Sequence, residues 1–181
     1  MSILKPDNTF LLMIDIQGKL LAAMYEKEAL LDNAQKLVKG LQVLGTPIIL
    51  TEQNPKGLGP TQPEITQLMP GIQPLPKFYF NCCQERNILQ AIDGLKRKQV
   101  LICGIEAHIC VYQTAMELLR SGFEVQIIAD VVSSRSMRNR DVALSRLQSE
   151  GAKLSTTEMV LFELLQTAES PKFKEVQKVI K

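Results

Sequence analysis

The chain has 181 residues, of which 45% are apolar and 22% charged, and its formal net charge is +2. A chain of this length and composition fits one globular domain with a substantial core, so we expect residues 1–181 to form a single domain. Acidic and basic residues are interspersed, which excludes the one-signed field that steers nucleic acids or anionic membranes.

Two features bear on partners and location. No apolar run approaches the ~20 residues of a membrane helix, and the first ten residues lack the features of a signal peptide, so we expect a cytoplasmic chain with no membrane contact. Short basic runs at 96–98 and 135–140 are typical of solvated helix ends and loops. We therefore expect no nucleic-acid partner.

The cysteines are too few and too closely spaced for a disulfide scaffold. A reducing compartment keeps them as thiols, and each is judged singly. They are Cys82, Cys83, Cys103 and Cys110.

The N-terminal half alternates between strand and helix patterns. A continuous apolar run at 10–14 predicts a buried strand, and apolar residues at helical spacing over 20–44 predict one helix or a pair split near 25–27. A second buried strand is predicted at 46–53, followed by a loop over NPKGLGPTQPEI. The run at 73–77 predicts another short strand, which its two prolines make an edge strand or an irregular one.

The same alternation continues to the C-terminus. Helices are predicted at 86–97, 111–121, 139–148, 158–165 and 172–180, and strands at 99–104, 124–131 and 153–157. Strands that are apolar throughout and separated by helices predict an α/β fold: a parallel sheet covered on both faces and joined by right-handed crossovers.

Ligands of such sheets bind beyond the carboxyl ends of the strands, where the strand order reverses. The chemistry-bearing residues expected there lie at or just past the carboxyl ends of five predicted strands: Asp15 with Gln17, Glu52 with Gln53, Lys77, the segment 104–110, and Asp130. They include an acid, a cation and a thiol from three separate strands.

Cys110 is the candidate nucleophile. It lies near the start of a predicted helix, where free N–H groups and the helix dipole lower the pKa of a thiol. The alternative is an inert buried thiol, because free cysteine is among the most buried residue types. Cys103 falls inside a strand and is expected in the core, whereas Cys82 and Cys83 fall in a predicted loop.

The chain has one histidine, His108, two residues from Cys110, which argues against a Cys–His or Ser–His–Asp enzyme. One histidine and scattered cysteines also provide no recognised zinc-ligand spacing, so we expect no metal and no other cofactor. Asp15 remains as the candidate base, with Lys77 as the cation that stabilises a thiolate or an oxyanion. Taken singly, Asp15 could cap a helix and Lys77 could be solvated.

Three motifs in this order resemble the isochorismatase-like cysteine hydrolases, a family that includes nicotinamidases and other amidases. They are FLLMIDIQ with Asp15, PKFYF with Lys77, and GIEAHICVYQTAMELLRSGFEV with Cys110. IADVVSSRS and STTEMVLFELL extend the resemblance, which covers residues 10–165.

The resemblance implies a three-layer α/β/α, Rossmann-like fold and a triad of Asp15, Lys77 and Cys110. In such enzymes the cysteine attacks a carbonyl carbon, the aspartate takes its proton, and water releases the acyl-enzyme. The resemblance further implies a non-proline cis peptide between Ile105 and Glu106, and an oxyanion site formed by the backbone N–H groups of Glu106 and Cys110.

Two positions depart from the family pattern. Metal-binding nicotinamidases have histidines after the second strand, where this chain has TEQNPKGLGPT, so it looks like the metal-free, isochorismatase-domain-containing subgroup. Asn81 stands where the family often has a small hydroxyl residue, four positions after the lysine.

These observations predict a metal-independent cysteine hydrolase that cleaves a C–N bond of a small amide, with Gln17, Glu52 and Tyr112 lining the pocket. An interaction protein that keeps the fold and triad without meaningful turnover is the first alternative. A ribonuclease is the second, disfavoured by the missing pair of histidines and basic face. The resemblance also implies a homo-oligomer.

Overall fold

The computed structural model describes residues 3–181. Six strands lie in this range: β1 Thr9–Ile14, β2 Ile48–Gln53, β3 Leu75–Lys77, β4 Gln99–Ile105, β5 Glu124–Ser133 and β6 Lys153–Ser155. The α-helices there are α1 Gly18–Leu21, α2 Lys27–Leu44, α3 Pro55–Leu58, α4 Pro63–Thr66, α5 Arg86–Gly94, α6 Tyr112–Arg120, α7 Met137–Ser149, α8 Thr157–Leu165 and α9 Phe173–Ile180. A 3₁₀ turn, Cys82–Gln84, precedes α5, and a π-helical turn, Ala107–Val111, precedes α6.

All strands pair in parallel, in the order β3-β2-β1-β4-β5-β6. β1, β2 and β3 follow one another toward one edge of the sheet, and β4, β5 and β6 follow one another toward the other edge. The strand order therefore reverses between β1 and β4, which places a crevice at the carboxyl ends of these two strands. The predicted α/β fold with a parallel sheet is confirmed.

The central strands are buried on both faces, as their continuous apolar runs predict. Every residue of β1 and β4 is buried. Side chains alternate along β1: Leu11 and Met13 pack with α2, α8 and α9, whereas Phe10, Leu12 and Ile14 pack with α5, α6 and α7. The sheet thus separates two hydrophobic cores, which makes three layers.

The helical pattern over 20–44 is a split pair. Glu26 has a left-handed backbone conformation, with φ of 51°, and separates α1 from α2. Gly45 ends α2 in the same conformation, with φ of 75°. The edge position predicted for the proline-containing strand is confirmed, because β3 pairs only with β2 in the described sheet.

Two local predictions are wrong. The segment predicted as a loop contains α3 and α4, one-turn helices that each begin with a proline, the residue whose fixed φ suits a first helical position. β5 continues to Ser133, past a register shift against β4. Cys110 lies near the start of α6, as predicted, in the π-helical turn that directly precedes this helix.

Among residues 3–181, no helix is both long enough and apolar enough to cross a membrane.

Candidate active site

The structure brings three predicted residues together at the carboxyl edge of the sheet. Asp15 directly follows β1, Lys77 is the last residue of β3, and Cys110 lies in the turn that follows β4. β3 is two strands away from β1, so Lys77 reaches across β2 to meet Asp15. Asp15 Oδ2 and Lys77 Nζ are 2.8 Å apart.

This ion pair is withdrawn from solvent, since both side chains are 0% exposed. Thr51 in β2 donates its hydroxyl to Asp15 Oδ1 at 2.8 Å. Burial raises the pKa of Asp15 above its usual value, while Lys77 and the hydrogen bonds from Thr51 and Cys110 oppose that increase. A carboxylate with a raised pKa is a better proton acceptor than a solvated aspartate.

The Lys77 ammonium is surrounded by oxygen atoms. Besides Asp15, it donates to Gln53 Oε1 at 2.6 Å and to the carbonyl oxygens of Tyr79 and Phe80 at 3.2 and 3.3 Å. Burial is the largest single effect and works against the charged form, but Asp15, Cys82 and Cys110 together outweigh it and raise the pKa of Lys77. Lys77 is therefore a stable buried cation.

The electrostatic environment of Cys110 differs from the one predicted. Burial is the largest effect, the Asp15 carboxylate adds to it, and together they raise the pKa of the Cys110 thiol to about 12, although Lys77 pulls it down. The predicted lowering of the thiol pKa is wrong, because burial of this residue, which is only 7% exposed, outweighs the influences that favour the thiolate. Cys110 is a protonated thiol at neutral pH and needs a proton acceptor to become a nucleophile.

The segment between β4 and Cys110 has the backbone that the family resemblance implies. The peptide bond between Ile105 and Glu106 is cis. The carbonyl oxygen of Glu106 accepts from the N–H groups of Ile109 and Val111, the two neighbours of Cys110, at 3.1 and 3.2 Å. The Glu106 carboxylate accepts from the backbone N–H and Nε of Arg135 at 3.0 and 3.1 Å, which ties this turn to the end of β5.

Gln17 and Glu52, predicted to line the pocket, are both engaged in holding the loop after β2. Gln17 donates to the carbonyl oxygens of Gln53 and Gly59 at 3.0 and 2.6 Å and accepts from the Gln53 N–H at 2.8 Å. Glu52 Oε1 accepts from the backbone and side chain of Thr61 at 2.7 and 2.8 Å. Their contact with substrate stays a prediction, and a substrate would have to compete with these bonds.

Tyr112 and the lone histidine line a cleft of about 280 Å³, whose lining does not include Asp15, Lys77 or Cys110. The Arg146 guanidinium lies 4.8 Å from the centre of the Tyr112 ring. His108 Nδ1 is 2.9 Å from Ser134 Oγ, so its ring is held away from any role as a base for Cys110.

Asp130 does not join the group at Cys110. The sequence places it near the carboxyl end of the strand predicted at 124–131, and β5 continues three residues past it to Ser133. Its carboxylate accepts from the Thr157 backbone N–H at 2.9 and 3.1 Å and from the Thr157 hydroxyl at 3.2 Å. Asp130 thereby caps the start of α8.

Sequence reasoning missed the part that β2 plays in the site. Alternate residues of a strand share a face, so Thr51 and Gln53 point together toward Asp15 and Lys77, while Glu52 points the other way. This alternation of side chains along β2 could have been predicted from the sequence. The rim formed by Phe78, Tyr79 and Phe80, which are 69%, 56% and 52% exposed, was missed as well.

Within the described part of the chain, no group of three or more His, Cys, Asp or Glu side chains has the arrangement to hold a metal ion. All four cysteines are free thiols.

Comparison with known proteins gives a consistent result. Residues 9–159 match the family model described as "Isochorismatase domain". The chain is 42% identical to zebrafish (Danio rerio) isochorismatase domain-containing protein 2 over 178 residues, which are 98% of this chain and 89% of that protein.

Solved structures agree with this result. The structure of MAR1 ribonuclease from Caenorhabditis elegans has a TM-score of 0.91 and 34% identity and covers 99% of this chain and 92% of its own. The Escherichia coli YcaC gene product, described as an octameric hydrolase of unknown specificity, has a TM-score of 0.93 and covers 99% and 91% of the two chains. At 23% identity, this second likeness concerns the fold alone.

Proposed function

Because the chain belongs to the isochorismatase domain family, we propose that it is a cysteine-dependent hydrolase that cleaves the C–N bond of a small amide through a thioester. The observation that carries the proposal is the buried pair of Asp15 and Lys77, 2.8 Å apart, beside the Cys110 thiol. Two buried charges are costly to maintain and are more readily explained by chemistry than by stability.

The reaction begins with the protonated thiol. Cys110 Sγ attacks the carbonyl carbon of the amide as the thiol proton passes to the Asp15 carboxylate. The oxyanion accepts hydrogen bonds from the backbone N–H groups of Glu106 and Cys110. The C–N bond then breaks, and the amine leaves with the proton held on Asp15.

Hydrolysis of the thioester uses the same groups. Asp15, again a carboxylate, accepts a proton from water as the water oxygen attacks the thioester carbonyl. The C–S bond breaks, the carboxylic acid is released, and the sulfur recovers a proton from Asp15. Lys77 keeps its charge throughout and stabilises the negative charge as it moves between Asp15 and Cys110.

A small activated acyl donor tests the nucleophile. We expect mass spectrometry of the intact chain and its peptides to find the acyl group on Cys110, and Cys110→Ala to lose the adduct. Cys83→Ala is the matched control, because Cys83 is the more exposed neighbour of the buried Cys82. Acylation confined to Cys82 or Cys83 would contradict the proposal.

A catalytically weak interaction protein with the same fold is the first alternative. A screen of amides, carbamates and ureides that finds no Cys110-dependent turnover would favour this alternative.

A ribonuclease is the second alternative, favoured by the likeness to the Caenorhabditis elegans protein that is named a ribonuclease. We place it behind the hydrolase because the single histidine contacts Ser134 and Asn139 rather than Asp15 or Cys110. Salt-sensitive RNA cleavage that is lost in Cys110→Ala would reverse this order.

We also propose that the chain forms a homo-oligomer. The three rim aromatics together expose about 350 Å² if each has roughly 200 Å² of surface, and exposed patches of this size often bind partners. The Escherichia coli neighbour, which is described as octameric, points the same way. Light scattering after size-exclusion chromatography tests this, and a monomer at all concentrations would contradict it.

The partner of the site is, in this proposal, a small molecule, with neither a nucleic acid nor a membrane involved. A reducing, cytoplasmic location is proposed from the four free thiols.

A further inference from the structure

The side chain of Gln53 makes the shortest contact of the Lys77 ammonium. Gln53 Oε1 lies 2.6 Å from Nζ, compared with 2.8 Å for Asp15 Oδ2 and 3.2 and 3.3 Å for the carbonyl oxygens of Tyr79 and Phe80. An ammonium has three N–H bonds, so four oxygen atoms saturate it. Three of these atoms belong to neutral groups, and only Asp15 carries a negative charge.

The Gln53 amide is held in one orientation. Its Nε2 donates to the carbonyl oxygen of Phe78 at 2.8 Å. A flipped amide would point its own N–H groups at the ammonium, so the oxygen must face Lys77. Gln17 fixes the backbone of Gln53 on both sides, accepting from its N–H at 2.8 Å and donating to its carbonyl at 3.0 Å.

The neutrality of Gln53 matters for the charge balance. The charged and titratable groups that act on the Cys110 thiol come from β1, β3 and the 3₁₀ turn: Asp15, Lys77 and Cys82. Lys77 is the one among them that favours the thiolate. A carboxylate in place of the amide would neutralise the lysine a second time and weaken that effect.

We propose that Gln53 is a positioning residue, which sets the Lys77 ammonium against Asp15 and, by being neutral, leaves its charge available to stabilise the Cys110 thiolate. The inference rests on the proposed role of Cys110 as the nucleophile. It assigns Gln53 no contact with substrate, since its amide is occupied by Lys77 and Phe78.

Alkylation of Cys110 by iodoacetamide, followed by peptide mass spectrometry across a range of pH, tests this role without a substrate. We expect Gln53→Glu to shift the profile upward by about one pH unit, which slows alkylation at neutral pH about tenfold. We expect Gln53→Met, which keeps the length but removes the acceptor, to slow it about threefold. A thermal melt of each variant establishes that it is folded.

The matched control is Gln148→Glu, which adds the same charge at an exposed position in the last turn of α7, a turn that precedes β6 and so lies at the edge of the sheet opposite to Cys110. A merely structural role for Gln53 would lower the melting temperature and alter all four thiols alike, without a selective change at Cys110. Equal shifts in Gln53→Glu and Gln148→Glu, or a wild-type rate in Gln53→Met, would overturn the role of Gln53. A wild-type Cys110 that reacts no faster than Cys82 would instead overturn the proposed function and, with it, this inference.

Discussion

Asp15 and Asp130 are two aspartates near the carboxyl ends of parallel strands, with different surroundings. Burial raises the pKa of both. Asp15 faces an ammonium and a thiol, whereas Asp130 faces the backbone N–H and hydroxyl of Thr157 at the start of α8. A perturbed pKa therefore does not separate a reactive carboxylate from a structural one. The difference lies in the partner, because a thiol can give up a proton to the carboxylate and a backbone amide cannot.

The largest expected effect sharpens this contrast. We expect Asp15→Asn to slow acylation of Cys110 roughly 1,000-fold, since an amide cannot accept the thiol proton. We expect Asp130→Asn to stay within about twofold of the wild type, because an asparagine still caps a helix. Acylation rates measured by intact mass spectrometry decide this, and equal losses in the two variants would abolish the distinction.

Asp15 and Asp130 also differ in how far the sequence predicts their surroundings. The continuous apolar runs of β1 and β4 determine the parallel sheet, and the sheet brings Asp15 and Cys110 to one edge whatever their loops do. The structural role of Asp130 could not be predicted from the sequence, because no pattern indicates that the start of α8 packs against its carboxylate. The raised pKa of Cys110 was also hidden, since it follows from burial by distant elements and the charge of Asp15.

For Gln53, the sequence predicts the place in the fold but not the role. The sequence places it at a strand end, yet it favours Glu52 for the pocket because a carboxylate suggests chemistry more strongly than an amide. The alternation of side chains along β2 selects Thr51 and Gln53 instead. No sequence pattern predicts that Lys77, at the end of the edge strand β3, can reach across β2 to Asp15, which follows the central strand β1.

Backbone packing offers a second way to test the two regions. Gly104, next to the Asp15 end of β1, has φ of 122°, and an added Cβ would overlap with the carbonyl group of Ile14. Gly151, before β6, has φ of 103°, but a Cβ there meets nothing within 4 Å.

We expect Gly104→Ala to lower the free energy of unfolding by about 3 kcal/mol or more, because the overlap forces the backbone to move and adds to the conformational strain. We expect Gly151→Ala to lower it by about 1–2 kcal/mol, from conformational strain alone. Urea denaturation measures both values. Similar losses at the two glycines would mean that the β1–β4 contact is less tightly packed than the structure indicates.

The smallest expected effect is a shift in the pH dependence of Cys110 acylation. If Asp15 accepts the thiol proton, acylation of Cys110 requires its carboxylate form, so the rate falls as the pH drops through the pKa of Asp15. Burial raises that pKa above the usual 3.8, and the acid limb must therefore lie above the range of a solvated aspartate. The pKa of Lys77 is raised above 10.5, so loss of the ammonium produces no descending limb at neutral or mildly alkaline pH.

Acylation rates from about pH 4 to about pH 9 test this assignment. Asp130→Asn should leave the acid limb in place although the pKa of Asp130 is also raised, and Asp15→Asn should remove it along with most of the rate. An acid limb that survives in Asp15→Asn would assign the proton acceptor to another group. The ion pair of Asp15 with Lys77 would then be a structural feature, as the contact of Asp130 with Thr157 is.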